Sequence, residues 1–180
     1  MKKHIKLVTA AVVMAMAVIL FSPRASTAQS IPARVETVYS STAAVTEVPF
    51  RAPSIIPLSS PAAPAEYWAS SIAPRSDRYI ISFDRAADCT GVTECSFAVV
   101  EGALNADSPN SFQQLSEQPR NENVVLSDGT PAVFSPHREG LYTPASVFVQ
   151  VGDYIYTFSI YMADKADVLE MANSADVLNE

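Results

Sequence analysis

Residues 147–162 read VFVQVGDYIYTFSIYM. Two β-branched and aromatic runs, 147–151 and 154–162, flank the dipeptide Gly152-Asp153. A two-residue connection with glycine first suits the positive φ of a type I′ or II′ turn, so the stretch predicts a β-hairpin. Period-two alternation then sorts its second strand. Tyr154, Tyr156, Phe158, Ile160 and Met162 share one face, and Ile155, Thr157, Ser159 and Tyr161 share the other. One face is built for burial and the opposite face is mixed, as in an antiparallel sheet.

The chain after the hairpin changes period. Asp164 is a candidate N-cap and Asp167 places negative charge in the first turn of a helix. Val168, Leu169, Ala172 and Ala175 then form one apolar stripe, with alanines small enough to let it lie close to a sheet. Upstream, Tyr79, Ile81 and Phe83 alternate with Ile80, Ser82 and Asp84 as in a strand, and SFAVVE at 96–101 is a second β-rich run. Ser127-Asp128-Gly129 marks a turn between short strands at 124–126 and 132–134. The polar stretch 102–123 predicts a long loop with a short helical turn near 112–115, and 135–145 a further loop. Strands with mostly short connections and one terminal helix predict an α+β domain over 78–178: an antiparallel β-sheet with the C-terminal helix packed on one face. A β-sandwich is the alternative. The length suffices for one core rather than two.

The beginning of the chain has another character. MKKHIK is basic, LVTAAVVMAMAVILF is apolar, and Ser26-Thr27-Ala28 supplies small residues, the pattern of a secretory signal peptide at 1–28. An apolar run of that length falls short of the ~20 residues a bilayer span needs, though an uncleaved anchor is the alternative. Cleavage after Ala28 would remove Lys2, Lys3, Lys6 and Arg24 and no acid, taking the formal charge from −7 to −11. So acidic a chain has no charge-driven affinity for nucleic acid or anionic lipid, so neither nucleic-acid binding nor a stable membrane anchor is expected after cleavage. The exported protein would be periplasmic or secreted. Residues 29–46 read as a flexible leader with little periodicity. Over 47–77 the prolines at 49, 53, 57, 61, 64 and 74 demand extended backbone. Phe50, Ile55, Ile56, Leu58, Tyr67 and Trp68 make that segment too apolar for a plain spacer, so it reads as a strap laid over the domain with Trp68 as its anchor.

Candidate chemistry is sparse. Cys89 and Cys95, in DCTGVTEC, are the two cysteines of the chain. Their spacing fits neither a four-ligand zinc site nor a C-x-x-C redox pair. In an exported protein they are expected to pair as a disulfide, which by chain entropy would stabilise the fold by roughly 2–2.5 kcal/mol. Asp84, Asp88 and Glu94 cluster around this loop and read as solvated charge or at most a weak calcium ligand set, since a glycosidase pair needs acids from separate elements. His137, the one histidine after the signal, sits in a polar loop with no G-x-S-x-G elbow to partner it. Phe148, Tyr154, Tyr156, Phe158 and Tyr161 are the concentrated aromatic feature, expected either as core beneath the terminal helix or as a surface for an apolar ligand or partner. No cofactor or metal motif is present.

Tyr79-Ile80-Ile81-Ser82-Phe83, the seven-residue Cys89–Cys95 loop, Val125-Leu126-Ser127-Asp128-Gly129 and the ending Val151-Gly152-Asp153-Tyr154-Ile155-Tyr156-Thr157 with Leu169-Glu170-Met171-Ala172-Asn173-Ser174-Ala175 carry a resemblance. In that order they resemble a group of uncharacterised exported bacterial proteins, chiefly cyanobacterial, with a domain of unknown function. The likeness covers roughly residues 47–178 and is weak over 53–57. Many such proteins carry a second cysteine pair near the hairpin, which residues 136–144 here lack. The resemblance implies export and no established activity. The absence of a catalytic constellation, the single histidine after the signal, the disulfide-sized loop and the aromatic sheet lead to the expectation of a non-enzymatic cell-envelope or extracellular domain with a binding or structural role, its partner unidentified, an envelope protein or an apolar ligand. A hydrophobic-ligand carrier or sensor is the second expectation, and a hydrolase using His137 with an acid of the cysteine loop the third.

Overall fold

The computed structural model describes residues 31–91, 94–106, 111–138 and 143–177. The signal segment expected at 1–28 lies outside them. In chain order the described elements are α1 (Ala33–Ala43), β1 (Arg51–Pro53), β2 (Trp68–Ser71), β3 (Arg78–Asp84), β4 (Ser96–Leu104) and α2 (Phe112–Ser116). They continue with β5 (Glu122–Val125), β6 (Pro131–Ser135), β7 (Ala145–Val151), β8 (Tyr154–Ile160), α3 (Lys165–Asn173) and β9 (Ala175–Val177).

Seven of these strands form one antiparallel sheet in the order β2-β3-β4-β8-β7-β6-β5. The β7–β8 hairpin lies at its centre, with Val151 opposite Tyr154 across the Gly152-Asp153 turn and Gly152 at φ +57°. Strand β8 ends at Ile160 rather than Met162. The Tyr161 amide still bonds the Phe97 carbonyl, and Met162 then adopts φ +55°, which turns the chain out of the sheet toward the next helix. The Ser127-Asp128-Gly129 turn joins β5 to β6 as its residues predict.

Period two in the strands decides what each face meets. Tyr79, Ile81, Phe83, Val100, Val147, Val149, Tyr156, Phe158 and Ile160 point to one side and are buried. Helix α3 packs there against β7 and β8 through Val168, Met171 and Ala172. Its Asp164 side chain accepts the Asp167 amide at 3.0 Å, the N-cap its sequence predicts. The opposite face carries a smaller cluster in which Leu115 of α2 covers Val133 and Ile155, with Phe112 and Phe148 alongside. A serine–glutamine capping box at Ser111 and Gln114 starts that short helix. The second sheet has only the two three-residue strands β1 and β9, and α3 packs on the main sheet beside it, so the fold is α+β and the β-sandwich alternative is not adopted.

The N-terminal region departs from its sequence expectation. Residues 33–43, read as part of a flexible leader, form α1, whose Val35, Tyr39 and Thr42 are buried. The spacing i, i+4, i+7 is helical, but Thr37, Ser40, Ser41 and Thr42 lower intrinsic propensity by bonding back to carbonyls three or four residues earlier. Tertiary contact decides the matter. The Tyr39 ring packs edge-on to Phe50 and Phe83, at centroid distances of 5.7 and 6.4 Å. The folded core therefore extends upstream of residue 78, and Val35, Tyr39, Val48 and Phe50 belong to the same buried cluster as the sheet.

The proline-rich segment is extended and lies over the domain. It contributes β1, which pairs antiparallel with β9, and β2, which edges the main sheet. Its deepest aromatic side chains are Phe50 and Tyr67, at 0 and 2% exposure. Trp68, expected as the anchor, is half-buried because strand alternation turns it away from the core, and the Arg34 guanidinium stacks over its ring at 4.9 Å.

Candidate functional site

Extended, proline-rich backbone cannot pair all its own carbonyls, so a strap laid on an apolar face needs donors from beneath. Three tyrosines supply them. Tyr156 Oη donates to the Pro49 carbonyl at 2.9 Å, Tyr79 Oη to the Arg51 carbonyl at 3.1 Å, and Tyr39 Oη to the Pro53 carbonyl at 3.2 Å. The acceptors alternate along the strap, as the pleat of extended chain requires. Burial pushes the Tyr39 and Tyr79 phenols far above the usual tyrosine range. Tyr156 is pushed up to about 12 by burial, with the Arg51 guanidinium pulling the other way from 5.3 Å above its ring. These hydroxyls are structural fasteners held in their neutral form.

Tyr79 fits because its strand partner is glycine. Gly102 lies opposite it in register, and a β-carbon at Gly102 would stand 2.3 Å from the Tyr79 ring. Strand β4 thus leaves a gap that the aromatic ring fills.

The five aromatics expected as one feature are divided by strand alternation. Tyr156 and Phe158 are each 1% exposed and belong to the filled core, so they offer no surface to a ligand. Tyr154 and Tyr161 are half-buried against that same core, whereas Phe148 lies half-buried on the opposite face with the smaller cluster. They do not form a single binding surface.

The cysteine loop holds a second polar centre. Cys89 and Cys95 form a disulfide with Cα atoms 5.6 Å apart. Asp88 and Glu94 are exposed, as solvated charge would be, but Asp84 is only 1% exposed. Its carboxylate collects four donors. Ser82 and Ser96 hydroxyls reach Oδ1 at 2.6 and 2.8 Å, while the Ser70 hydroxyl and the Gly91 amide reach Oδ2 at 2.8 and 3.0 Å. The reading of Asp84 as solvated charge is corrected by this geometry. Alternation along β3 puts Ser82 and Asp84 on one face, and the register brings Ser70 beside Ser82 and Ser96 beside Asp84. The sequence signal was there in part, since Ser82 and Asp84 alternate with apolar residues. What encloses them is the pairing of β2 and β4 with β3, which brings Ser70 and Ser96, together with the loop that folds Gly91 back onto Asp84.

His137 is half-buried in the loop after β6, where Nδ1 lies 2.7 Å from the Thr143 carbonyl. Four strand spacings, roughly 19 Å, separate β6 from β3, which leads into the cysteine loop. His137 and the acids of that loop do not converge. Among the described residues no group of three or more His, Cys, Asp or Glu side chains is placed to hold a metal ion, and no helix is long and apolar enough to cross a membrane.

One shallow groove runs between the strap and α3, about 580 Å³, bordered by Ser54, Ile55, Leu169, Glu170 and Ser174. It arises because Ser174, the C-cap of α3, ties that helix end to the strap by accepting the Ile55 amide on its hydroxyl and the Ser54 amide on its carbonyl. Its lining is as much polar as apolar.

The chain matches no family model, no curated protein and no solved structure.

Proposed function

We propose that the protein is an exported, non-catalytic domain of the cell envelope or extracellular space that binds or supports a partner through its surface. The observation that carries this reading is how its chemically capable side chains are employed. Asp84 is saturated by four donors, three tyrosine hydroxyls fasten the strap, and His137 is anchored to Thr143 far from any acid of the cysteine loop. A nucleophile, a base and an orienting acid within mutual reach are what hydrolysis needs, and these groups stand apart. The Cys89–Cys95 disulfide fits an oxidising location, as export through a signal at 1–28 would provide.

The test has two arms. Fractionation of cells producing the full chain should recover it outside the cytoplasm, shortened to begin near residue 29. Panels of ester, peptide, glycoside and phosphate substrates should show no turnover above background. Reproducible turnover abolished by His137→Ala would overturn the reading in favour of the hydrolase.

The hydrophobic-carrier alternative retains one foothold, the shallow groove flanked by Ile55 and Leu169. Displacement of a fluorescent fatty-acid probe, weakened by Leu169→Glu, would favour it.

A further inference from the structure

The disulfide loop does more than close a turn. Thr90 and Gly91 adopt φ +44° and +80°, two successive residues in the left-handed region, and this conformation aims the Gly91 amide at Asp84. The same carboxylate oxygen receives the Ser70 hydroxyl, and Ser70 belongs to β2, the edge strand of the sheet. Gly91 also lies close against Ile72, the residue just after β2, so that an added β-carbon would stand 2.5 Å from Ile72 Cδ1. Asp84, Ser82 and Ser96 are each at most 5% exposed. One buried carboxylate thus joins the loop, the edge strand β2 and the two strands β3 and β4.

We propose that the Cys89–Cys95 disulfide is a redox latch on the edge strand β2. Closed, it holds Gly91 over Asp84 and clamps β2 to the sheet through Ser70 and Ile72. A dithiol reductant opens it by thiol–disulfide exchange. One reductant thiolate attacks one cysteine sulfur, forming a mixed disulfide and releasing the other cysteine as thiolate; the second reductant thiolate then attacks the reductant sulfur of that mixed disulfide and releases the first cysteine. The cysteine pair gains two electrons and two protons, and the dithiol becomes a disulfide. The freed loop no longer has to keep two left-handed residues in place, the Gly91 amide leaves Asp84, and water reaches the serine–aspartate cluster. The edge strand then loses the Gly91 side of the clamp and keeps its backbone ladder with β3 and the Arg34 contact with Trp68. Coupling of this kind is reciprocal: whatever factor the closed disulfide contributes to the Asp84 network, the network returns to disulfide formation. In a chain that reaches an oxidising compartment the latch closes on arrival. This last point rests on the proposed export, while the latch itself does not.

The experiment equilibrates the purified full-length chain in buffers of reduced and oxidised dithiothreitol, traps free thiols by alkylation and reads the disulfide fraction by mass spectrometry. Turning one Asp84 carboxylate oxygen, each of which is shared by two donors, into an amide nitrogen removes one or two hydrogen bonds and should change the equilibrium by roughly threefold to tenfold. Asp84→Asn is therefore expected to make the disulfide that much easier to reduce, and Ser70→Ala to shift it the same way by a smaller factor. Hydrogen exchange on the reduced wild type covers the case in which Asp84→Asn does not fold. The Ile72 amide, bonded to the Ile80 carbonyl at 2.9 Å, should lose protection on reduction while β4 and β8 amides keep theirs. Unchanged protection at Ile72, protection lost equally across all strands, or a redox equilibrium moved less than twofold by a folded Asp84→Asn variant would each overturn the latch.

Discussion

The Tyr79 hydroxyl engages both polar groups of one residue's backbone, donating to the Arg51 carbonyl and accepting from the Arg51 amide, each at 3.1 Å. Arg51 lies in β1, so the phenol that fills the gap over Gly102 also fixes the strap. Tyr79→Phe leaves that backbone pair without its partner, and loss of a buried partner costs about 1–3 kcal/mol. Urea denaturation should show a drop of that size. Tyr154→Phe, at a half-exposed position, should change stability by about 0.5 kcal/mol or less.

Alkaline pH tests the same fasteners. The Tyr39, Tyr79 and Tyr156 phenols have folded pKa values raised above the unfolded value near 10, so the folded state holds their protons more tightly. Their contribution to stability is complete below about pH 10 and falls as pH rises toward about 12, where Tyr156 titrates in the folded state. Tyrosinate absorbance from these three phenols should rise only above about pH 10 and cooperatively with loss of structure. A single smooth titration near pH 10 in protein that remains folded would contradict the assignment. Tyr156→Phe should flatten the decline between pH 10 and 12.

Gly102→Ala discriminates a packing role from a merely permissive one. The added carbon would meet the ring of a fully buried Tyr79, which has no room to retreat. Overpacking of this kind costs about 1–3 kcal/mol, so a clear fall in Tm is expected. Gly129→Ala meets no neighbouring atom and should show only the strain of its φ of +88°, about 1 kcal/mol.

Tyr39→Ala asks whether α1 belongs to the domain. Removing a side chain 5% exposed and packed against Phe50 and Phe83 should destabilise the whole fold by about 3–5 kcal/mol. A flexible leader would register almost nothing. The expected result is a single cooperative transition shifted to lower denaturant.

These contrasts show which parts of the fold are local. The hairpin at Gly152-Asp153, the Ser127-Asp128-Gly129 turn, the cap at Asp164 and the helical turn at 112–115 are written in short-range chemistry, and each appears where its residues place it. Helix α1 is not legible in that way. Its serines and threonines argue against a helix, and Phe50 and Phe83, which hold Tyr39, lie 11 and 44 residues away. The Asp84 cluster was half legible. Alternation placed Ser82 and Asp84 together, but Ser70 arrives through strand pairing and Gly91 through loop closure. Aromatic density at 148–161 leaves core and surface both open in the sequence, and the packing of the strap and α3 makes Tyr156 and Phe158 core.

Native mass spectrometry of the protein recovered from the exported fraction tests the central claim most directly, that this is a filled, disulfide-closed domain working through its surface. The account predicts a bare chain beginning near residue 29, lighter by two hydrogens than its reduced form, with no bound molecule. A stoichiometric apolar adduct retained through gentle ionisation, or two free thiols, would contradict it.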